Sequence, residues 1–434
     1  MPPRSGPADA PGRLARRLGT GDAVMIGLGS MIGAGVFAAF GPAARAAGAG
    51  LLVGLVIAAV IAYCNAVASA QLAAAYPTSG GTYVYGRERL GPWWGFTAGW
   101  GFVVGKTASC AAMALTFATY AVPGPGWAQR LVAVAGVLGP AALNYRGVTK
   151  TALLTRVLVG TSLTALAVLV AGIVAGVASG GGAGTEGWTD LGSGGAYGIL
   201  QAAGLLFFAF AGYARIATMG EEVRDPRRTI PRAILIALFI AVVVYLAVGA
   251  AVLLAAGPQR LAGAAAPLAA AVEAAGAGGL APVVRAGGAL AALGALLALI
   301  AGVGRTALAM ARQGDLPRGL AAVHPRHRVP HRAEVALAVV VGVLAATVDL
   351  RGVIGFSSFG VLVYYAIANV SAFTQPASDR RRPRALNVLG AAGCLTLVAT
   401  LPWTSVLAGV AMFAAGLAGR WLVLRHRSRA VRSG

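Results

Sequence analysis

Apolar runs of about twenty residues recur along the chain, separated by short polar segments rich in arginine. As a helix, a run of that length crosses a bilayer core of roughly 30 Å. Twelve such runs are expected, near residues 22–43, 49–74, 92–122, 129–145, 151–178, 196–219, 230–256, 280–310, 333–349, 352–374, 385–401 and 403–423. The stretch 258–279, Ala-rich with Pro267 and Glu273, reads as an outer loop carrying a short helix. The pattern predicts an all-α polytopic membrane protein with about twelve transmembrane helices.

Composition supports that reading. Of 434 residues, 58% are hydrophobic and 11% charged, against about 25% charged in soluble domains. The net charge of +22 would suit a nucleic-acid binder, but the basic residues sit in clusters between apolar runs. With the N-terminus inside, 28 of the 35 Lys and Arg fall in inside segments. Five fall outside, Arg45, Arg130, Arg260, Arg285 and Arg351, and Lys106 and Arg215 remain within spans. This asymmetry sets the topology by the positive-inside rule. It places both termini in the cytoplasm of a multi-pass plasma (inner) membrane protein, with membrane lipid and no nucleic acid as partner. Residues 1–21 then form a basic cytoplasmic tail rather than a cleaved signal peptide, and 424–434 form a second basic tail. Cys64, Cys110 and Cys394 all lie in apolar runs and read as packing residues, with neither disulfide nor zinc spacing.

Two spans carry breaks. In span 1, Gly27, Gly29, Gly33 and Gly35 fall within nine residues, and each costs about 1 kcal/mol in a helix relative to Ala. Small residues there either allow close packing or mark an unwound helix whose exposed amides and half-helix dipole attract a carboxylate. Spacing alone leaves both open. In span 6, Phe207-Phe208-Ala209-Phe210-Ala211-Gly212-Tyr213 places bulky aromatics before a glycine. It reads either as aromatic packing or as a pocket with carbonyls free for an ammonium. If the first ten spans are two five-helix halves, these interrupted segments correspond, as at a transporter's midplane site.

At these residues the chain resembles amino acid–polyamine–organocation (APC) permeases. Phe208-Ala-Phe-Ala-Gly-Tyr213, then Glu221-Glu222-Val223, Asp225-Pro226 and Ile230-Pro231, is similar to the family's span 6 and following loop. Ile32-Gly33-Ala34-Gly35-Val36-Phe37 looks like its span 1 signature. Further matches are Tyr76-Pro77-x-Ser79-Gly80-Gly81-x-Tyr83, Asn144-x-x-Gly147, and Arg305-x-x-x-x-Met310-Ala311-Arg312-x-Gly314-x-Leu316-Pro317. The resemblance implies a LeuT-type 5+5 inverted repeat, residues 22–178 and 196–374, plus two C-terminal helices over 385–423. It implies a substrate carboxylate on the amides of Met31, Ile32, Gly33, Ala34 and Gly35. It implies a substrate ammonium at the carbonyls of Phe208, Ala209 and Ala211, with Phe210 and Gly212 beside the break and Phe208 or Phe210 as a candidate gate. Two departures stand out. Where many members carry an acid after the span 6 Gly-Phe, this chain has Ala214 then Arg215. Where some proton-coupled members carry a span 5 lysine, the register from Gly147 reaches Ser162.

None of the 13 acidic residues falls mid-span. Asp22, Glu334 and Asp349 are assigned to span ends. Lys106 lies well inside span 3, where a charge is costly and faces a cavity or a partner. Burial disfavours an ammonium's charge, which makes Lys106 a candidate for proton coupling; the alternative is structural glue on neighbouring carbonyls. Arg215 either pairs with Glu221 or Glu222 or serves an inner gate. Gly27-x-Gly29-x-x-x-Gly33 is not read as a dinucleotide turn, because no acid follows before Glu88. His324, His327 and His331 read as a solvated loop rather than a metal site. The expected function is secondary active transport of a zwitterionic amino acid, driven by protons in one version, with no cofactor, no enzymatic activity and no accessory subunit. A cationic amino acid or polyamine carrier and a membrane-bound amino acid sensor are the alternatives.

Overall fold

The computed structural model describes residues 18–77, 80–146, 151–182, 190–219, 223–327 and 329–432, with backbone alone at 151–153 and 428–432. Ser79, Gly147, Glu221 and Glu222 lie outside the described residues. Among the described residues every regular element is helical, and the one β-contact is an isolated parallel bridge between Leu18 and Val223. Among the described residues nine helical stretches are long and apolar enough to cross a membrane, and Arg384–Thr400 is a shorter apolar helix. Helices cover the expected runs, but those at Gly126–Tyr145, His331–Thr347 and Arg384–Thr400 are not among the nine.

The first run is divided into α1 (Thr20–Met31), α2 (Ala34–Ala38) and α3 (Phe40–Ala47). Then come α4 (Leu51–Ala75), α5 (Thr82–Leu90), α6 (Pro92–Ala121), α7 (Gly126–Tyr145) and α8 (Thr151–Ala178). The sixth run is divided into α9 (Gly195–Phe210) and α10 (Ala214–Ala217). The remainder are α11 (Pro226–Gly263), α12 (Pro267–Ala274), α13 (Ala281–Arg312), α14 (His331–Thr347), α15 (Leu350–Phe373), α16 (Arg384–Thr400) and α17 (Trp403–Arg432).

Three boundaries differ from expectation. Helix α11 continues past 256 to Gly263, kinking where Gly257 takes φ 66° before Pro258. Helix α17 runs to Arg432, through the segment assigned to a tail, because nothing in Trp421–Arg432 breaks a helix. Helix α5 occupies a segment read as loop, since nine residues with three charges carry no membrane-like signal.

Helix α6 is the central post, packed against both α13 and α15. Without a hydrophobic drive between helices in lipid, close approach relies on small residues. Gly105 of α6 lies against Ser357 and Gly360 of α15, and Gly101 against the Gly360 carbonyl. Helix α4 packs on α11 and α9, and α16 on α15. Helix α17 is largely uncovered, with Trp403, Leu407 and Val410 exposed, as expected of a lipid-facing helix.

At the end of the bundle that holds the Arg-rich loops, α5 is fastened from several sides. Tyr85 donates to the Ala217 carbonyl at 3.3 Å, and the Thr82 amide donates to Tyr364 at 3.1 Å. Tyr83 donates to Asp315 at 2.8 Å; burial and this carboxylate push its phenol above the usual range, so it stays a donor. Asp315 also pairs with Arg87 at 3.3 Å and with Arg420 of α17. Arg420 in turn lies over Phe96 and Trp93, at 4.7 and 5.1 Å from the ring centres. Removing one partner from a buried ion cluster costs about 3–5 kcal/mol. Asp315→Ala is therefore expected to lower the thermal midpoint of the purified chain clearly; an unchanged midpoint contradicts this role.

Candidate functional site

The glycine cluster of span 1 both packs and unwinds. Gly27 lies against Ile216 and Gly29 against Thr155 and Val159, so these two are contact points. Helix α1 stops at Met31, Ile32 leaves helical geometry (φ −80°, ψ 67°), and Gly33 is extended (φ −129°, ψ −140°). The Ile32 amide still reaches Leu28 at 2.6 Å and the Gly33 amide reaches Met31 at 2.8 Å. The amides of Ala34, Gly35 and Val36 open α2 and have no helical carbonyl to reach, because the preceding turn is unwound. In span 6, α9 stops at Phe210, a 3₁₀ turn covers Ala211–Tyr213, and α10 follows.

The two breaks meet backbone to backbone. A Cβ on Gly35 would stand 2.5 Å from Ala209 Cα, and one on Gly212 would collide with the Ser30 carbonyl. Only glycine permits that approach. Of the ten residues named from the sequence, Met31 and Gly35 meet Ala209 and Gly212 at this junction, whereas Gly33 lies against Ala295 of α13 and Ile32 borders a different cavity from Phe208, Ala211 and Gly212. The two gate candidates separate. Phe208 lines the adjoining cavity, whereas Phe210 packs on Tyr245 with ring centres 5.0 Å apart.

Donors on three other helices take the carbonyls of the junction. The Tyr245 hydroxyl of α11 lies 2.6 Å from the Met31 carbonyl and 3.1 Å from the Ala209 carbonyl, and donates its one proton between them. Lys106 Nζ of α6 donates to the Ala211 carbonyl at 3.1 Å. The Tyr365 hydroxyl of α15 donates to the same carbonyl at 3.3 Å. Tyr245 and Tyr365 were not singled out from the sequence. A lone tyrosine in an aliphatic run looks like a packing residue, and its hydroxyl gives no periodic signal.

Two cavities flank the junction. One, of about 480 Å³ including space open to solvent, is lined by Ser30, Lys106, Phe208, Ala211, Gly212 and Arg215 among others. The second, of about 370 Å³ on the same basis, is lined by Gly29, Ile32, Thr155, Ser162 and Gly294 among others. Of the three coupling candidates, Lys106 and Arg215 therefore share one cavity while Ser162 borders the other. Ser162 Oγ donates to its own helix at Leu158, 2.7 Å away. Arg215 donates to Thr218 at 3.1 Å; its expected partners Glu221 and Glu222 lie outside the described residues.

Glu334 sits at a span end as assigned, in the first turn of α14, and is buried at 3% exposure beside Gly304. One reading changes at the Arg-rich end. His324, His327 and His331 are half-buried and cluster around Tyr145 rather than lying in solvent, with ring centres 5.5, 6.3 and 6.2 Å from its ring. Among the described residues no group of three or more His, Cys, Asp or Glu is placed to hold a metal.

A family model described as amino acid permease matches residues 18–419. The chain belongs to the amino acid permease family. An uncharacterized transporter of Mycobacterium tuberculosis is 59% identical over 431 residues, covering 99% of this chain and 96% of the relative. A branched-chain amino acid permease of Bacillus subtilis is 26% identical, covering 96% and 94%. The human cationic amino acid transporter 4 is 28% identical, covering 82% of this chain and 59% of the relative. This permease is a multi-pass membrane protein whose two broken helices meet backbone to backbone.

Tyr245→Phe removes the one donor shared by the two breaks and leaves the Met31 carbonyl to the Gly33 amide alone, at a cost of about 0.5–1.5 kcal/mol. The thermal midpoint of the purified permease is expected to fall accordingly; a midpoint equal to that of the parent chain contradicts the bridging role.

Proposed function

We propose that this permease is a secondary active transporter of zwitterionic amino acids, working by alternating access around the two broken helices. The observation that carries the proposal is the junction itself, where amides without helical partners open α2 at Ala34–Val36 and Gly35 lies against Ala209 of the second break. Amide donors and a half-helix dipole suit a carboxylate; carbonyls suit an ammonium. An α-amino acid offers both groups one carbon apart. The site residues are Met31 to Gly35 and Phe208 to Gly212, with Phe208 as the gate, since it is the aromatic that lines the cavity. Within the proposal the chain has twelve spans in a 5+5 inverted repeat plus two, and both termini face the cytoplasm at the plasma membrane.

Proton coupling is assigned to Lys106. Its position fits both earlier readings, because the carbonyl it fastens is one that the substrate ammonium would use. A group that shares an acceptor with the substrate is placed to feel whether the site is filled. Arg215 lines the same cavity and is assigned to the inner gate. The names of relatives include cationic amino acid transporters, so a cationic substrate is the second reading. Two basic side chains on the cavity wall weigh against it.

Uptake of labelled amino acids into proteoliposomes, with and without an inward proton gradient, tests the proposal. Gradient-driven uptake of a zwitterionic amino acid is expected, with loss of the gradient dependence in Lys106→Ala. Gly33→Val is expected to abolish uptake while the chain still inserts, because a Cβ there meets Ala295. Gradient-independent uptake of arginine or lysine overturns both the substrate and the coupling assignment. Retained uptake in Gly33→Val removes the span 1 break from the site.

A further inference from the structure

Lys106 is 4% exposed, and its ammonium occupies an acceptor at the very point where a substrate ammonium is expected. A carbonyl oxygen has two lone pairs. At Ala211 both are in use, one by Lys106 at 3.1 Å and one by Tyr365 at 3.3 Å. A substrate ammonium can bond this oxygen only when one of the two donors leaves.

Tyr365 is held in place. It is fully buried, and its ring lies against Tyr213, Tyr364 and Phe207, with centres 5.0, 5.1 and 5.7 Å away. Lys106 ends in four flexible methylenes and a compact charge, so it is the donor that moves. Its destination decides what the site accepts. The Lys106 ammonium has three donor hydrogens, and the cavity beside it is lined by Phe102, Met113, Phe208 and Leu299 and by the hydroxyls of Ser30 and Ser109. Ser109 is paired with Ser357 at 2.5 Å, while Ser30 and Thr218 donate to the Ile26 and Arg215 carbonyls; these hydroxyls keep acceptor lone pairs but are neutral, and a carboxylate is the stronger partner for an ammonium. Among the described lining residues there is no carboxylate. A buried ammonium moved off its acceptor without a new one is strongly disfavoured.

We infer that Lys106 is a specificity-determining residue that selects acidic amino acids, its ammonium passing from the Ala211 carbonyl to the substrate's side-chain carboxylate as the substrate's α-ammonium takes its place. The inference rests on the proposed amino acid site and narrows its substrates from zwitterionic amino acids at large to those whose side chain adds a carboxylate. A glutamate or aspartate supplies the acceptor that Lys106 gives up, so every donor and acceptor stays paired. A neutral amino acid displaces Lys106 and leaves it only the neutral hydroxyls of the cavity wall in place of a carboxylate. A cationic side chain adds a like charge beside Lys106, on a wall that also carries Arg215. The expected order is acidic, then neutral, then cationic.

Glutamate and glutamine have nearly the same shape and differ in that charge, so their ratio isolates the effect. The full chain in nanodiscs, studied by equilibrium binding with L-glutamate, L-aspartate, L-glutamine, L-leucine and L-arginine, is expected to prefer glutamate over glutamine by about tenfold or more. In Lys106→Met the glutamate-to-glutamine ratio is expected to fall to about one. Lys106→Gln serves as the second variant and is expected to lose the ratio likewise. Glutamine or leucine bound as tightly as glutamate by the parent chain overturns the inference and leaves amino acid transport standing. So does a glutamate preference that survives both substitutions. Binding of none of the five overturns the inference together with the amino acid site on which it rests.

Discussion

Inside a bilayer no water is at hand to satisfy a backbone group, so a helix that breaks at membrane depth must find its partners in neighbouring side chains. Here the debt falls on the carbonyls of Met31, Ala209 and Ala211. Three side chains meet it: Tyr245 serves Met31 and Ala209, while Lys106 and Tyr365 serve Ala211. Each comes from a different helix, so α6, α11 and α15 are all tied to the two breaks. The junction also explains the glycines. Gly35 and Gly212 let the two chains touch, and the touching brings amides without helical partners close to carbonyls held by removable donors.

A movable site needs a firm surround. Helix α6 is wedged between α13 and α15 through its small residues, and Lys106 projects from that post. Below the junction α5 holds the end of α10 through Tyr85 and the loop after α13 through Tyr83 and Arg87. Arg420 brings α17 into the same cluster at Asp315. The fastening combines these polar contacts with an apolar cluster of Tyr83, Phe96 and Met310.

Much of this organisation was legible in the residues. Apolar runs located the helical segments, and the glycines around Gly33 together with Phe208–Gly212 located the breaks. Lys106 stood out because a charge in an apolar run needs a partner, and the Ala211 carbonyl is that partner. Other features were hidden for physical reasons. Tyr245 and Tyr365 look like packing in one dimension, because only their three-dimensional neighbours reveal what their hydroxyls reach. Helix α5 is too short and too polar for a hydropathy pattern. The histidines were read as solvated since their shared contact, Tyr145, lies on another helix nearly 180 residues earlier than His324. Glu334 was placed at a span end by its position, and its burial comes from the Gly304 face of α13, which is not visible in its own segment.

The most direct test of the account is the structure of this permease with an amino acid bound. The account predicts density for the substrate at the junction, its carboxylate at the amides of Ala34–Val36, its ammonium at the Ala211 carbonyl, and Lys106 turned away from that carbonyl. Density lodged elsewhere, or a filled junction with Lys106 still on Ala211, would contradict it.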